Sequence, residues 1–168
     1  MSEKDFKPNP EIVYLDTSIP RFYFDDRPKS QLNREITREW WAKRSKDFYI
    51  CTSTVTLNEL KARDYANKEE TLQFIDKVAF LPINDQVMEI SRYYIEHFLA
   101  PKEDIEEYKG DAVHMALCAF YKVEYLLTWN QKHLANVNKL RQLKIMNARL
   151  DLETPAIITP EQLMLSWR

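Results

Sequence analysis

Short apolar runs alternate along the chain with longer segments in which apolar residues recur every three or four positions. The runs predict five strands, at Ile12–Leu15, Asp47–Ser53, Ala79–Ile83, Tyr125–Trp129 and Ala156–Thr159. Strands that alternate with helices form βαβ units, so the pattern predicts one α/β domain with a parallel sheet and helices on both faces. We divide the chain into a polar lead-in, residues 1–10, and a domain, residues 11–168.

The helical segments are predicted from their apolar spacing and their capping residues. Leu32, Ile36 and Trp40 fit one inward face of a helix. Thr54 and Asp85 are typical N-cap residues. The predicted helices lie at Leu32–Arg44, Val55–Leu60, Asn67–Val78, from Asp85 onwards, and at Asp111–Tyr121, Asn138–Leu150 and Pro160–Leu165, with a short helix and loop at Arg21–Lys29 and an acid-rich connection at Glu103–Glu107.

Composition narrows the function classes. The chain has 168 residues, 45% of them hydrophobic, which is enough for one domain with a core. The net charge of -2 provides no global basic field, so a nucleic-acid partner would need local positive patches. The single glycine, Gly110, excludes glycine-rich phosphate loops of the Rossmann and Walker types.

The cysteines and the apolar runs indicate a cellular compartment. Cys51 and Cys118 lie inside apolar segments without metal-ligand spacing, and we expect both to be buried thiols in a reducing cytosol. The N-terminus is charged and has no apolar core. No apolar run approaches the roughly 20 residues of a membrane span. We therefore expect a cytoplasmic protein without a membrane partner.

Three acids and one amide occupy equivalent positions in the predicted sheet. Asp16 ends the first strand, Glu59 lies shortly after the second, Asp111 opens the helix before the fourth strand, and Asn130 follows that strand. In a parallel sheet such positions share one edge, where ligands bind. Clustered carboxylates need a cation, and oxygen ligands suit Mg²⁺ or Mn²⁺, which activate water for phosphoryl displacement. Taken alone, Asp16 is also explained as a cap of the next helix.

For other charged residues, the sequence gives weaker evidence of a functional role. His114 lies three residues after Asp111, and we favour a hydrogen-bonded core histidine over one that orients substrate. Asp25 and Asp26 are expected at the solvated surface. Three cations lie near Asp16 and Glu59 in the sequence and either contact phosphates or form ordinary surface charge: Arg21, Lys61 and Arg63.

The residues around the three acids and the amide resemble those of the PIN-domain ribonucleases, and among them the VapC-like toxins of bacterial toxin–antitoxin pairs. The resemblance extends from about Ile12 to Leu163 and rests on four ordered motifs, Leu15-Asp16-Thr17-Ser18, Asn58-Glu59-Leu60, Asp111-Ala112-Val113-His114-Met115-Ala116 and Leu127-Thr128-Trp129-Asn130. It implies an α/β/α sandwich whose central parallel sheet has about five strands in the order 3-2-1-4-5. It also implies a Mg²⁺-dependent endoribonuclease that uses a metal-activated water and leaves a 5′-phosphate and a 3′-hydroxyl. A cognate antitoxin would block the acidic pocket.

The resemblance transfers residue by residue. Asp16, Glu59 and Asp111 match the three main carboxylates of the family, which would ligate the metal and carry the catalysis. Asn130 stands where many members have a fourth acid, so a second metal would bind weakly or only with substrate, although an amide oxygen still ligates a cation or orients a water. Thr17 and Thr128 would supply supporting hydrogen bonds, or merely satisfy nearby backbone.

Two further functions stay open. One is a PIN-like module that binds RNA or protein with weak or no nuclease activity, which Asn130 and the near-neutral charge favour. The other is a nuclease of RNA maturation or of DNA, since no residue is seen to read the 2′-hydroxyl. Relatives commonly form homodimers, and the helix with Trp40 and Trp41 offers one contact surface.

Overall fold

The computed structural model describes residues 10–97, 105–130 and 137–165, in which helices and parallel strands alternate. The strands are β1 (Ile12–Leu15), β2 (Tyr49–Thr52), β3 (Ala79–Phe80), β4 (Tyr125–Leu127) and β5 (Ala156–Ile158). The helices are α1 (Ser18–Phe24), α2 (Gln31–Arg44), α3 (Thr54–Lys61), α4 (Lys68–Asp76), α5 (Asp85–His97), α6 (Ile105–Phe120), α7 (Val137–Arg149) and α8 (Pro160–Leu165). Residues 1–9 of the predicted lead-in lie outside the described residues.

The five strands form one all-parallel sheet in the order β3-β2-β1-β4-β5, which confirms the predicted fold class. β1 is the central strand, with Tyr14 beside Cys51 of β2 and beside Leu126 of β4. The strand order reverses at β1, and such a switch point leaves a crevice outside the carboxyl ends of the strands. The fold therefore leaves a crevice next to Asp16.

The two faces of the sheet are covered by different helices. Val13 and Leu15 pack into a cluster with Trp40, Leu60 and residues of α1, α4 and α8. Tyr14 points to the opposite face and packs against apolar residues of α5, α6 and α7. Side chains alternate between the faces of a strand. The face that carries Tyr14 continues past the strand ends into the polar residues Asp16, Ser53 and Thr128.

Several helices begin elsewhere than predicted. α6 begins at Ile105, so Asp111 lies inside the helix and does not open it, and the described part of the predicted connection Glu103–Glu107 is helical. α1 begins at Ser18 and not near Arg21. Charged and aromatic side chains are typical of loops, so both helix starts were predicted late, whereas the described backbones of residues 18–24 and 105–107 are helical.

The capping residues also differ from the prediction. Ser53, rather than Thr54, caps α3 and accepts the Val55 N–H at 3.2 Å. Asn84, rather than Asp85, accepts the Val87 N–H at 2.9 Å at the start of α5. In both cases the prediction is one residue late, because adjacent residues share the same capping chemistry and only the backbone geometry distinguishes them.

The predicted inward face of α2 is partly wrong. Trp40 is fully buried, whereas Leu32, in the first turn of α2, is 67% exposed; the buried residues of α2 are Thr37 and Trp40, in its later turns. Trp41 is half-buried and contacts Phe74. Trp40 itself belongs to the core, so a dimer contact through this helix would use its other residues, and dimerisation stays a prediction.

The remaining expectations concern thiols and membranes. Cys51 and Cys118 are free and buried, as predicted. Within the described part of the chain, no helix has the length and apolar character that crossing a membrane requires.

Candidate active site

A cleft of about 490 Å³ opens where β1 and β4 end and where α1, α3 and α6 approach one another. The four residues predicted to carry the chemistry all line it, namely Asp16, Glu59, Asp111 and Asn130. They come from four separate parts of the chain. The parallel topology thus brings them to one place, although Asp111 reaches it from within α6 and Asn130 is an exposed residue after β4.

Asp16 is a buried carboxylate whose orientation is fixed by its neighbours. Ser18 donates its backbone N–H (2.9 Å) and its hydroxyl (2.5 Å) to Oδ1, and the Thr128 hydroxyl donates to Oδ2 at 2.5 Å. Only 5% of Asp16 is exposed. Burial raises the pKa of Asp16, although the hydrogen bonds from Ser18 and Thr128 oppose that rise. A carboxylate has about four acceptor positions, so one position remains on Oδ2.

Glu59 is held by one hydrogen bond on each oxygen. His114 Nε2 bonds to Oε1 at 2.7 Å, and the Thr17 hydroxyl donates to Oε2 at 3.0 Å. Burial alone would raise the pKa of Glu59, but the hydrogen bond and charge of His114, with Thr17, outweigh it and lower the pKa. The side chain is 42% exposed, so each oxygen keeps an acceptor position toward the cleft.

The lone glycine allows α6 to approach this carboxylate closely. A Cβ atom on Gly110 would lie 3.1 Å from Glu59 Oε1 and 3.6 Å from Glu59 Cδ. Such a separation is tighter than ordinary van der Waals contact, so the glutamate would have to move. Gly110 thus has a steric role in the site that its position in the sequence did not indicate.

His114 is buried and hydrogen-bonded, as predicted, but it also lines the cleft and pairs with Glu59. It is 2% exposed, and Nδ1 lies 2.6 Å from the Tyr14 hydroxyl. Burial lowers the pKa of His114, while the hydrogen bond and charge of Glu59, together with the charges of Asp16 and Asp111, produce a net rise. Sequence spacing indicated a shared helix face with Asp111 but gave no signal for Glu59, which is 55 residues away.

The segment after β4 is joined to Asp16 by its hydroxyl neighbours. The Asn130 N–H donates to Thr128 Oγ1, and the Trp129 N–H donates to Ser18 Oγ, both at 2.9 Å. The Asp16 N–H in turn donates to the Leu127 carbonyl at 3.3 Å. The supporting hydrogen bonds expected of Thr17 and Thr128 are therefore present, and both serve carboxylates.

Positive charge lies on the rim of the cleft. Arg21 and Arg63 line it, whereas Lys61 is not among the lining residues. The Arg21 guanidinium lies 3.8 Å from the centre of the Tyr65 ring, a cation–π contact that restrains the guanidinium. Arg21 and Arg63 thus contribute positive charge to the lining of the cleft.

Asp25 is not the solvated surface residue that we expected. Its side chain is only 11% exposed, and Arg27 donates to both carboxylate oxygens at 2.8 and 2.6 Å. The Arg27 hydrogen bond holds the pKa of Asp25 well below its usual range, although partial burial opposes this. Both residues line the cleft. The Asp-Asp-Arg pattern was the signal that sequence reasoning overlooked.

The donor set suits a hard cation by chemistry. In residues 10–97, 105–130 and 137–165, no three or more His, Cys, Asp or Glu side chains are grouped so that they could hold a metal ion. Asp16 and Glu59 nevertheless keep free acceptor positions toward one cleft. Mg²⁺ is commonly held by one or two carboxylates together with waters and substrate phosphates. Asp16 and Glu59 would provide the protein ligands of such an ion, with Asp111 and Asn130 as further oxygen donors.

No protein-family model matches this sequence, and no curated protein is similar enough to match it. The resemblance carried by the four motifs therefore stands as an expectation based on the residues themselves. What the geometry provides is an acidic cleft with fixed carboxylates, an amide at one side and arginines on the rim.

Proposed function

We propose that this protein is a PIN-like endoribonuclease that requires Mg²⁺ or Mn²⁺. The observation that carries the proposal is the convergence of Asp16, Glu59, Asp111 and Asn130 on one cleft at the switch point of a parallel sheet. Repelling carboxylates at such a point favour a cationic partner, and rim arginines favour a polyanionic one.

The residues of the chain have separable roles in this proposal. Asp16 and Glu59 would hold the divalent ion, Asp111 would add negative charge, and Asn130 would orient a water or ligate through its amide oxygen. Bound there, the ion would supply the Lewis acidity needed to hydrolyse a phosphodiester. Arg21 and Arg63 would position the RNA backbone, since phosphate contacts provide register and affinity.

The biological role that we propose is that of a toxin paired with an antitoxin. The four ordered motifs support it, because they resemble those of VapC-like toxins. An antitoxin would act by covering the acidic cleft. A small neighbouring reading frame for a DNA-binding protein, whose product inhibits cleavage when added in equimolar amount, would support this role. RNA cleavage that no neighbouring product inhibits would instead favour a nuclease of RNA maturation.

A second candidate is a PIN-like module that binds RNA or protein without cutting. The lack of a three-ligand group in the described residues favours it, as does an amide at position 130. Asn130→Asp separates the candidates. If the cleft is a metal site, the added carboxylate should tighten Mn²⁺ binding. If the chain is a pure binding module, the variant should still not cleave RNA.

The deciding experiment measures cleavage of a labelled structured RNA by the purified chain with Mg²⁺ or Mn²⁺. We expect Asp16→Asn and Glu59→Gln to lose about a hundredfold in rate, comparable to the effect of disturbing metal-site groups. Asp76→Asn is the matched control, since Asp76 is an exposed carboxylate at the end of α4. Equal cleavage by the wild type and by both site variants would contradict the proposal, provided that circular dichroism shows all of them folded.

A further inference from the structure

A chain of hydrogen bonds runs from the core of the sheet to the cleft. Val55 N–H donates to Ser53 Oγ, which lies 2.7 Å from the Tyr14 hydroxyl. That hydroxyl lies 2.6 Å from His114 Nδ1, and His114 Nε2 lies 2.7 Å from Glu59 Oε1. We define these side chains, from Ser53 through Tyr14 to His114, as the hydroxyl relay. It joins β1, the start of α3 and α6 to one carboxylate.

The chemistry of each group determines the direction of the relay. An ionised carboxylate only accepts, so His114 must donate from Nε2. When the ring is neutral, Nδ1 then accepts from the Tyr14 hydroxyl, and the Tyr14 oxygen accepts from Ser53. Every hydrogen is used once in this order. If it were reversed, Ser53 Oγ would accept from both Val55 and Tyr14, and its own hydrogen would find no acceptor among the hydrogen bonds of the described residues.

Burial favours this order of donors and acceptors over any other. Tyr14 and Ser53 are both fully buried, and His114 is 2% exposed, so water does not offer substitute partners. An unpaired polar group in such a position is costly, which favours the order that satisfies every donor. The relay thus fixes the plane and the donor atom of the imidazole. Thr17 completes the restraint by donating to the second oxygen of Glu59.

We propose that His114 is a positioning residue that, held by the hydroxyl relay, orients Glu59 so that its free acceptor positions face the cleft. This inference rests on the proposed function for its consequence, which is divalent-ion affinity. It adds a residue outside the acidic set and a path from the core to the site. Partners of ligating side chains commonly contribute about 10- to 100-fold to metal affinity.

Calorimetric titration with Mn²⁺ tests the consequence. His114→Leu removes both ring contacts and should weaken binding by about 10- to 100-fold. His114→Gln, whose amide can still donate to Glu59, should recover most of that loss. In a Glu59→Gln background, His114→Leu should have little further effect, because the group through which it acts has changed. Equal losses for the leucine and glutamine variants, undiminished in the Glu59→Gln background, would overturn the proposal.

Nitrogen-15 NMR of the histidine rings tests the relay without any metal. At a pH where the ring is neutral, we expect His114 as the Nε2–H tautomer, with an Nε2 resonance that shifts in Glu59→Gln and an Nδ1 resonance that shifts in Tyr14→Phe. An Nδ1–H tautomer would overturn the relay. If the wild type binds no Mn²⁺ while the tautomer is as expected, the nuclease proposal fails and the relay stands.

Discussion

Replacing Gly110 with alanine has two opposing effects on stability, and their balance can be estimated. Gly110 lies inside α6, where alanine is favoured over glycine by about 0.5–1 kcal/mol. The new methyl group would meet Glu59 Oε1 at 3.1 Å. Glu59 is a flexible side chain, so it should move by a few tenths of an ångström rather than unfold the helix.

That movement stretches the hydrogen bond from His114. Hydrogen bonds to charged groups contribute about 1.5–3 kcal/mol, and the lower end applies because 42% of the Glu59 side chain is exposed and therefore screened. The free energy of unfolding should consequently change by less than about 1 kcal/mol in either direction. Affinity for Mn²⁺ should nevertheless fall, since the carboxylate is displaced.

Urea unfolding of four proteins in EDTA isolates the contact, namely the wild type, Gly110→Ala, Glu59→Ala and the double variant. With Glu59 truncated, the methyl group meets no carboxylate, so Gly110→Ala should yield the full gain of about 0.5–1 kcal/mol. A gain of the same size in both backgrounds would refute the steric reasoning.

Three more predictions concern charge, packing and backbone conformation. Burial raises the pKa of Asp16 above its ordinary value of 3.8. The native state therefore binds the proton of the Asp16 carboxyl group more tightly than the unfolded chain does. In EDTA, the wild type should therefore lose stability relative to Asp16→Asn as the pH rises from about 4 to 7. A difference in urea midpoint between the two proteins that stays constant over this range would contradict the reasoning. Trp40→Ala should cost about 3–5 kcal/mol, whereas Trp40→Phe should cost much less, because Trp40 Nε1 is buried without a hydrogen bond among the described residues. Asn67 has φ 64° and donates to the Phe24 carbonyl at 2.8 Å, so Asn67→Ala should cost about 1–2 kcal/mol in urea unfolding and Asn67→Gly less.

The sheet and the composition of the cleft were predictable because both follow from local patterns. Each strand is a short apolar run, and Asp16 and Asn130 come directly after or close to the ends of such runs. Once the strands are parallel, their carboxyl ends must share an edge. The motifs then supplied the strand order, which apolar periodicity alone does not contain.

The partners within the cleft were not predictable from such patterns. The bond between His114 and Glu59 joins two helices whose relative positions depend on packing, and it also depends on the absence of a side chain at Gly110. The start of α6 was missed because a run of acids resembles a solvated loop. Local sequence indicates which residues reach an edge of the sheet, whereas tertiary contacts decide which of their atoms meet.

The alternation of side chains along β1 has a consequence for how the gene can change. Tyr14 and Asp16 share one face of the strand, while Val13 and Leu15 face the layer that contains Trp40. A codon inserted or deleted within Ile12–Leu15 would exchange the two faces of the strand. The Asp16 carboxylate would then face the apolar layer that contains Trp40, and an aliphatic side chain would face the cleft. When a library of single-codon insertions and deletions is scored for folded protein rather than for activity, this strand should tolerate almost none, whereas the exposed segment at 62–64, which carries the cleft residue Arg63, should tolerate many.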